Sequence, residues 1–375
     1  MQVRNKYREI AAFLYEGIRA GKYAEGRFPS ENMLARRFGV TRPTVRLALK
    51  ELRSKGYIVG RQGRGTFVTR AALALQNDIG LLVPGVAYSE FFSPVVRELS
   101  RLCTLDRSGL CFYSSFDVNG ALRAEQVIQQ ARNLVERHAR GVIFQPCESV
   151  PDAVRLNRDV LKKFQEAGIP VVLLDSDVVP PPERSGYDVV GVNNFDAGRR
   201  IALHLLAAGA QRIRFAMMPH ACYSIRNREA GVACALAAHG RRLGDAFAGD
   251  PTDVASVQTF LRRQRPDALV CCCDTFAAHL MNALGALGKR VPDDLLLAGF
   301  DDVLHATIMR PQLTTIRQPC AEIAAVAFRA LLDRIADPGL PPREILLSSE
   351  LVVRPSTRKQ HAGGRGRIDR LKPPA

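Results

Sequence analysis

Thr41-Arg42-Pro43-Thr44-Val45-Arg46-Leu47-Ala48-Leu49-Lys50-Glu51-Leu52-Arg53-Ser54-Lys55-Gly56 has the pattern of one short helix with two unlike faces. Val45, Ala48, Leu49 and Leu52 recur at i, i+3, i+4 and i+7, the spacing of a buried helical stripe. Arg42, Arg46, Lys50 and Arg53 fall off that stripe and share a solvent side. Thr41 is placed to cap the helix and Gly56 to stop it. Pro43 sits in the first turn, where a missing backbone donor costs least. Such a helix, basic outside and with an arginine near its N-terminus, suits the major groove of DNA. Taken alone, it is equally a solvated surface helix that happens to be basic.

The distribution of charge separates the two readings. Residues 1–70 hold 16 Lys and Arg against 5 Asp and Glu, and residues 358–375 hold 6 against 1, whereas the 31 basic and 31 acidic residues between them cancel. A basic head on a neutral body is the electrostatic footprint of a nucleic-acid binder that carries a second domain for another task. With 375 residues the chain is long enough for two or three domains. No apolar run approaches a membrane span, and Met-Gln-Val-Arg-Asn-Lys-Tyr lacks the apolar core of a secretion signal, so a cytoplasmic protein is expected.

Around the opening stretch, Tyr7, Ile10, Ala11, Leu14 and Ile18 follow helical spacing, and Pro29-Ser30-Glu31 opens a second helix with Leu34, Ala35 and Phe38 on its inner side. Gly39-Val40 turns into the third. Beyond Gly56, Tyr57-Ile58-Val59 and Thr66-Phe67-Val68 read as strands flanking a Gly- and Arg-rich tip. These residues, with Thr41-Arg42, Thr44-Val45-Arg46, Ala48-Leu49, Leu52 and Gly63-x-Gly65-Thr66-Phe67-Val68, resemble the winged helix-turn-helix of GntR-type regulators over essentially the whole of 1–69. The resemblance implies contacts to DNA from Asn32, from Thr41, Arg42, Thr44 and Arg46, and from Gln62 and Gly63 in the wing. Arg64 is a further candidate for phosphate or the minor groove.

After a short alanine-rich connection at 70–77, the period changes. Runs of strand length alternate with helical segments: Ile79–Val83, Gly141–Phe144, Pro170–Leu174, Asp188–Val192, Arg212–Ala216, Ala268–Cys272 and Leu295–Phe300. Continuous apolar strands between helices indicate parallel sheets covered on both faces. The fold class is therefore α/β, and ligands in that class bind beyond the carboxyl ends of the strands. Asp175, Asp177, Asp274, Asp301 and Asp302 follow such strands and would serve acid–base or metal chemistry in an enzyme. Yet the sequence has no phosphate-binding P-loop, nucleophile elbow, dinucleotide fingerprint or zinc-protease helix. A binding body without catalysis, metal or cofactor is expected.

Nine cysteines in a chain of this kind, without a paired zinc spacing, read as free thiols. Cys271, Cys272 and Cys273 are consecutive, and alternate residues of a strand face opposite ways, so they do not converge on one ion.

Three groups of motifs in the body resemble the effector domain of LacI/GalR-type regulators: Val192-x-Asn194-x-Asp196-Ala197-Gly198-Arg199, Arg228-x-x-Gly231 and Gly299-Phe300-Asp301-Asp302. Two later segments do so as well: Pro311-x-Leu313-Thr314-Thr315-Ile316-x-Gln318-Pro319 and Glu350-Leu351-Val352-Val353-Arg354. The resemblance covers about 78–357. It implies a two-lobed fold like that of periplasmic sugar-binding proteins, with two parallel sheets. The first lobe would comprise about 78–208 and 319–340, and the second about 209–316 and 343–355. It also implies a ligand cleft at Phe91, Phe92, Asp196, Arg228 and Asp301. Cys273 stands where the family often has an asparagine that bonds ligand hydroxyls. The tail, 358–375, is Gly-, Pro- and Arg-rich and reads as disordered.

Together the two resemblances imply a one-component transcriptional repressor: a homodimer on a near-palindromic double-stranded operator, controlled by a small effector, most naturally a sugar. Two rivals from other classes are an architectural DNA binder whose body only dimerises and an enzyme fused to a DNA-binding head.

Overall fold

The structure, a computed structural model, describes residues 2–19, 23, 28–61, 65–69, 78–84, 90–114, 120–148, 150, 152–180, 182–219 and 221–358. The wing-tip residues Gln62, Gly63 and Arg64, the connection at 70–77 and the tail beyond Arg358 lie outside them.

The head consists of α1 (Gln2–Arg19), α2 (Glu31–Phe38), α3 (Arg42–Ser54) and a hairpin of β1 (Ile58–Arg61) with β2 (Gly65–Val68). Ile10, Leu14 and Ile18 of α1 bury against Leu34 and against the α3 stripe of Val45, Ala48, Leu49 and Leu52. Ser30 caps α2 by accepting the Met33 N–H at 3.3 Å. The turn into α3 needs a left-handed residue, and Gly39 supplies it at φ 60°. Thr41 takes the extended N-cap backbone, but its hydroxyl meets Thr44 Oγ1 at 3.1 Å and does not bond a helix amide. The hairpin is antiparallel from Ile58↔Val68 to Arg61↔Gly65. Tyr15 of α1 stacks against both Tyr57 and His138, the latter in the body.

In the body, the first sheet has the order β13-β7-β6-β5-β3-β4 and is parallel throughout. Its strands are β3 (Ile79–Leu82), β4 (Leu110–Tyr113), β5 (Gly141–Phe144), β6 (Val171–Leu174), β7 (Asp188–Val192) and β13 (Glu344–Leu347). One face packs on α4 (Phe92–Leu105) and α12 (Cys320–Ala336), the other on α5 (Gly120–Glu136) and α6 (Ala153–Glu166). The apolar runs at 79–83, 141–144 and 171–174 are buried on both faces for this reason.

The second sheet has the order β14-β12-β11-β10-β8-β9, parallel except where β14 meets β12. It comprises β8 (Ile213–Met217), β9 (Phe247–Ala248), β10 (Ala268–Cys271), β11 (Leu296–Asp301), β12 (Thr314–Arg317) and β14 (Glu350–Val352). Around it lie α7 (Asn194–Ala207), α8 (Tyr223–Ala238), α9 (Val254–Gln264), α10 (Asp274–Ala286) and the short α11 (Leu304–Ile308).

Two lobe assignments read from the sequence change. Helix α7 belongs with the second lobe, because Ala197, Ile201, Ala202 and Leu205 join the core of the second sheet; the crossing falls near 193, not 208. Strand β13 belongs with the first lobe, paired to β7 from Glu344↔Val189 to Leu347↔Val192. Arg343 fixes that strand by donating to the buried Asp188 carboxylate, which Arg334 of α12 holds at 2.9 Å from its other side. Only β14 of the returning segment reaches the second sheet.

Helices α7 and α8 cross at glycine contacts. A Cβ on Gly198 would stand 2.0 Å from the Arg228 carbonyl oxygen, and one on Gly231 would stand 2.0 Å from that of Phe195. Both helix backbones approach too closely for any side chain. Gly231→Ala is therefore expected to destabilise the body by about 3 kcal/mol through overpacking. Urea unfolding measures this, and an unchanged midpoint would contradict the tight crossing.

Candidate functional site

The close crossing of α7 and α8 sets the position of Arg228, one turn into α8 and 5% exposed. Its Nε donates to Asn194 Oδ1 at 2.8 Å, and its Nη1 donates to the carbonyl oxygen of Cys272 at 2.7 Å. Its Nη2 faces Asp301 Oδ1 at 3.6 Å, and the guanidinium lies 4.7 Å from the Phe300 ring centroid. Burial works against the guanidinium charge, but the carboxylates of Asp301 and Asp175 outweigh it and keep Arg228 a cation.

The other members sit where strands of both sheets end. Asp301 closes β11 at φ 107° and accepts the Gln318 Nε2 at 2.6 Å from the end of β12. Asp175 follows β6 at φ 72°. Left-handed backbone at two non-glycine strand ends is a form of strain that clusters at binding sites. Glu148 follows β5 and accepts the Ser176 hydroxyl at 2.9 Å. Burial pushes the carboxyls of Asp175 and Asp301 above the usual range, and burial with the nearby Asp175 charge lifts Glu148 to about 7.

Asp274 is fully buried and accepts from Thr315 Oγ1 at 2.7 Å and from the Val303 N–H at 3.1 Å, so its task is to shape the β11–α11 turn. Asp302 is held by Arg317 and Arg354, each at 2.6 Å. Cavities of about 330, 220 and 540 Å³ open around the charged cluster. They are lined, in that order, by Asp175 with Ser224, by Glu148 with Cys222, and by Phe91 with Asp301 and Gln318.

Of the cleft residues read from the sequence, Arg228 and Asp301 come together. Cys273 joins them as the N-cap of α10, its thiol lowered by a hydrogen bond from Cys272. Phe91 lines the largest of the three cavities. Phe92 is 5% exposed and part of the first-lobe core, so core packing accounts for it. Asp196 is a correction. It points at Arg199 and Arg200, at 2.8 and 2.5 Å, and the neighbouring Asn194 is the residue that touches Arg228. Sequence reading singled out neither Glu148, Asn194 nor Gln318 for the cleft, although each stands at or just beyond a strand end. Among the described residues no group of three His, Cys, Asp or Glu is arranged to hold a metal ion.

At the head, Arg42 and Arg46 stand on the outer face of α3, 56% and 63% exposed, and both pair with Glu31 of α2, at 3.5 and 2.9 Å. Asn32 and Thr41 are exposed as well. Thr44 differs from these: it is 8% exposed, with its hydroxyl turned to Thr41, and offers little surface to a partner.

Comparison with known proteins matches these two parts separately. Residues 6–68 fit the family of bacterial regulatory proteins called gntR, and residues 202–357 fit a periplasmic binding protein-like domain. The arabinose metabolism transcriptional repressor of Geobacillus stearothermophilus is 26% identical over 371 residues, covering 94% of this chain and 98% of that protein. Among solved structures, the transcriptional regulator CelR in complex with cellobiose superposes at a TM-score of 0.64 with 21% identity, covering 88% of this chain and all of that one. A LacI family regulator from Enterococcus faecium with bound ribose gives 0.61 with 22% identity, covering 74% of this chain and 98% of that one. These two structures share the fold of this body. The chain is thus a transcriptional regulator in two parts, a head that fits the gntR family of bacterial regulatory proteins on a body with the periplasmic binding protein-like fold.

Proposed function

We propose that this regulator is a cytoplasmic repressor whose operator affinity is set by a small polyhydroxylated ligand held between the two lobes. The observation that carries the reading is the meeting of charged groups from both lobes at one place. Arg228 and Asp301 come from the second lobe, and Asp175 and Glu148 come from the first. A guanidinium and carboxylates side by side bracket neighbouring hydroxyls as donors and acceptors, and the Phe91 ring at the cavity wall suits the C–H side of a ring. The named relatives support the sugar class: one is a repressor of arabinose metabolism, and two solved neighbours hold cellobiose and ribose.

A ligand touching both lobes favours one lobe arrangement over another. Moving an equilibrium from 1:99 to 99:1 takes about 5.5 kcal/mol of differential affinity, which contacts from a single lobe do not readily supply. The chain crosses between lobes near 193, 318 and 348, so closure reorients whole sheets. In a homodimer, such rotation moves the two heads out of register with two half-sites. Leu105 and Phe112, exposed at 68% and 38% beside the edge strand β4, offer an apolar surface for the second copy.

On DNA, Arg42 and Arg46 exchange Glu31 for base edges or phosphate. A guanidinium donating two bonds to guanine O6 and N7 is the most discriminating contact available to them. Arg46→Ala is expected to weaken operator binding by about 1–3 kcal/mol and random-DNA binding by less. Fluorescence anisotropy on both DNAs tests this, and equal losses would reduce Arg46 to a phosphate clamp. For the cleft, Arg228→Ala is expected to lower the melting temperature of the body and to remove its ligand-induced stabilisation, while the head, whose core is its own, keeps its operator affinity. A sugar-panel thermal shift with a parallel operator titration decides the point, and a normal ligand response in the variant would take Arg228 out of the site.

A further inference from the structure

Among the described residues, the buried carboxyls of Glu148, Asp175 and Asp301 share one buried cation, Arg228. Arg228 already has Nε on Asn194, Nη1 on the Cys272 carbonyl and Nη2 facing Asp301. Glu148 and Asp175, both on the first lobe, have uncharged donors for immediate partners: the Cys222 thiol and the Ser176 hydroxyl for the one, and the Ser224 hydroxyl for the other. Charged neighbours of Glu148 are Asp175 and Arg228, with the Cys222 thiol alongside, and those of Asp175 are Arg228 and Asp301. Two buried acids that feel each other's charge and share one guanidinium with a third leave this buried set short of positive charge.

An independent feature points the same way. Gln318 is 6% exposed, and its Nε2 is committed to Asp301, yet its Oε1, at the wall of the 540 Å³ cavity, is buried and meets no donor among the described residues. The wall of that cavity therefore offers an unanswered acceptor to a ligand rich in donors.

Resting on the reading of this cleft as the effector site, we propose that the effector carries a protonated amine seated between Glu148 and Asp175, as in an aminated sugar or polyol. The ammonium supplies three donors and the missing charge, while Arg228 and Asp301 hold neighbouring hydroxyls. Binding requires the ionised form of Glu148, whose carboxyl burial and the nearby Asp175 charge push up to about 7. Alkylamine affinity then climbs with pH through that value, by about tenfold from pH 6 to pH 8, following the ionised fraction.

Matched pairs test this on the full-length protein by thermal shift and calorimetry: glucamine against sorbitol, galactosamine against galactose, and putrescine against butanediol. The expected result is stabilisation by amine members over their neutral partners, with the preference reduced at least tenfold in Glu148→Gln and the pH dependence abolished there. That variant keeps the shape of the side chain and removes a buried ionisable group. Ligand-free Glu148→Gln is accordingly expected to melt at or above the wild type at pH 8, which separates lost binding from lost folding. Stabilisation by the neutral members alone overturns the amine assignment and leaves the cleft reading in place. Amine binding that survives in both Glu148→Gln and Arg228→Ala lies elsewhere and overturns both. Silence from every amine in the panel overturns the amine assignment as well.

Discussion

A guanidinium buried to 5% exposure must have every charge and donor answered, and most of the body is arranged around answering those of Arg228. Asn194 meets it from the first turn of α7, the Cys272 carbonyl from the end of β10, Asp301 from the end of β11 and the Phe300 ring from the same strand. Three separate pieces of the second lobe are thus tied to one side chain. Removing any partner leaves an uncompensated buried group, which is far more costly than losing a surface contact. The arrangement fixes the second-lobe half of the cleft before a ligand arrives, and such preorganisation is what selective binding of a small polar molecule needs.

The same side chain explains the glycines. Gly198 and Gly231 let α7 and α8 touch backbone to backbone, and the Arg228 carbonyl is itself the atom that a Cβ on Gly198 would strike. A wider crossing would carry Arg228 away from Asn194. The lobe boundary follows from this contact: α7 cannot leave α8, so it travels with the second lobe although the chain has just left β7 of the first. At the other crossings, Asp302 ties β12 to the C-terminal segment through Arg317 and Arg354, and Asp188 ties β13 to α12 through Arg343 and Arg334.

Much of this was legible from residue patterns, for reasons that also mark where legibility ends. The α3 stripe of Val45, Ala48, Leu49 and Leu52 is a strong periodic signal because one face packs on its neighbours, and the unbroken apolar runs of Ile79–Leu82 and Val171–Leu174 are a strong signal because both faces of the sheet are covered. Strands β4, β9 and β13 were not separable. They lie at or near sheet edges, so their burial is partial and their pattern weak. For Asp196 and Thr44 the one-dimensional neighbourhood carries no hint of which way the side chain turns. Asp196 turns to the arginines three and four residues on, and Thr44 turns back to Thr41. Glu148 was missed because its significance is the proximity of Asp175, 27 residues away, which only the parallel pairing of β5 with β6 creates.

Head and body meet through Tyr15, which stacks on Tyr57 at the base of the wing and on His138 of the first lobe. A first lobe that rotates when the cleft closes therefore acts on the head directly as well as through the connecting chain. The most direct measurement is of that coupling. Genomic fragments bound by the full-length protein identify the operator, and its affinity is then titrated with and without a saturating compound that stabilises the body. The account predicts a change in operator affinity of tenfold or more, absent when the head is assayed alone. An operator affinity that stays the same with the cleft filled would contradict it.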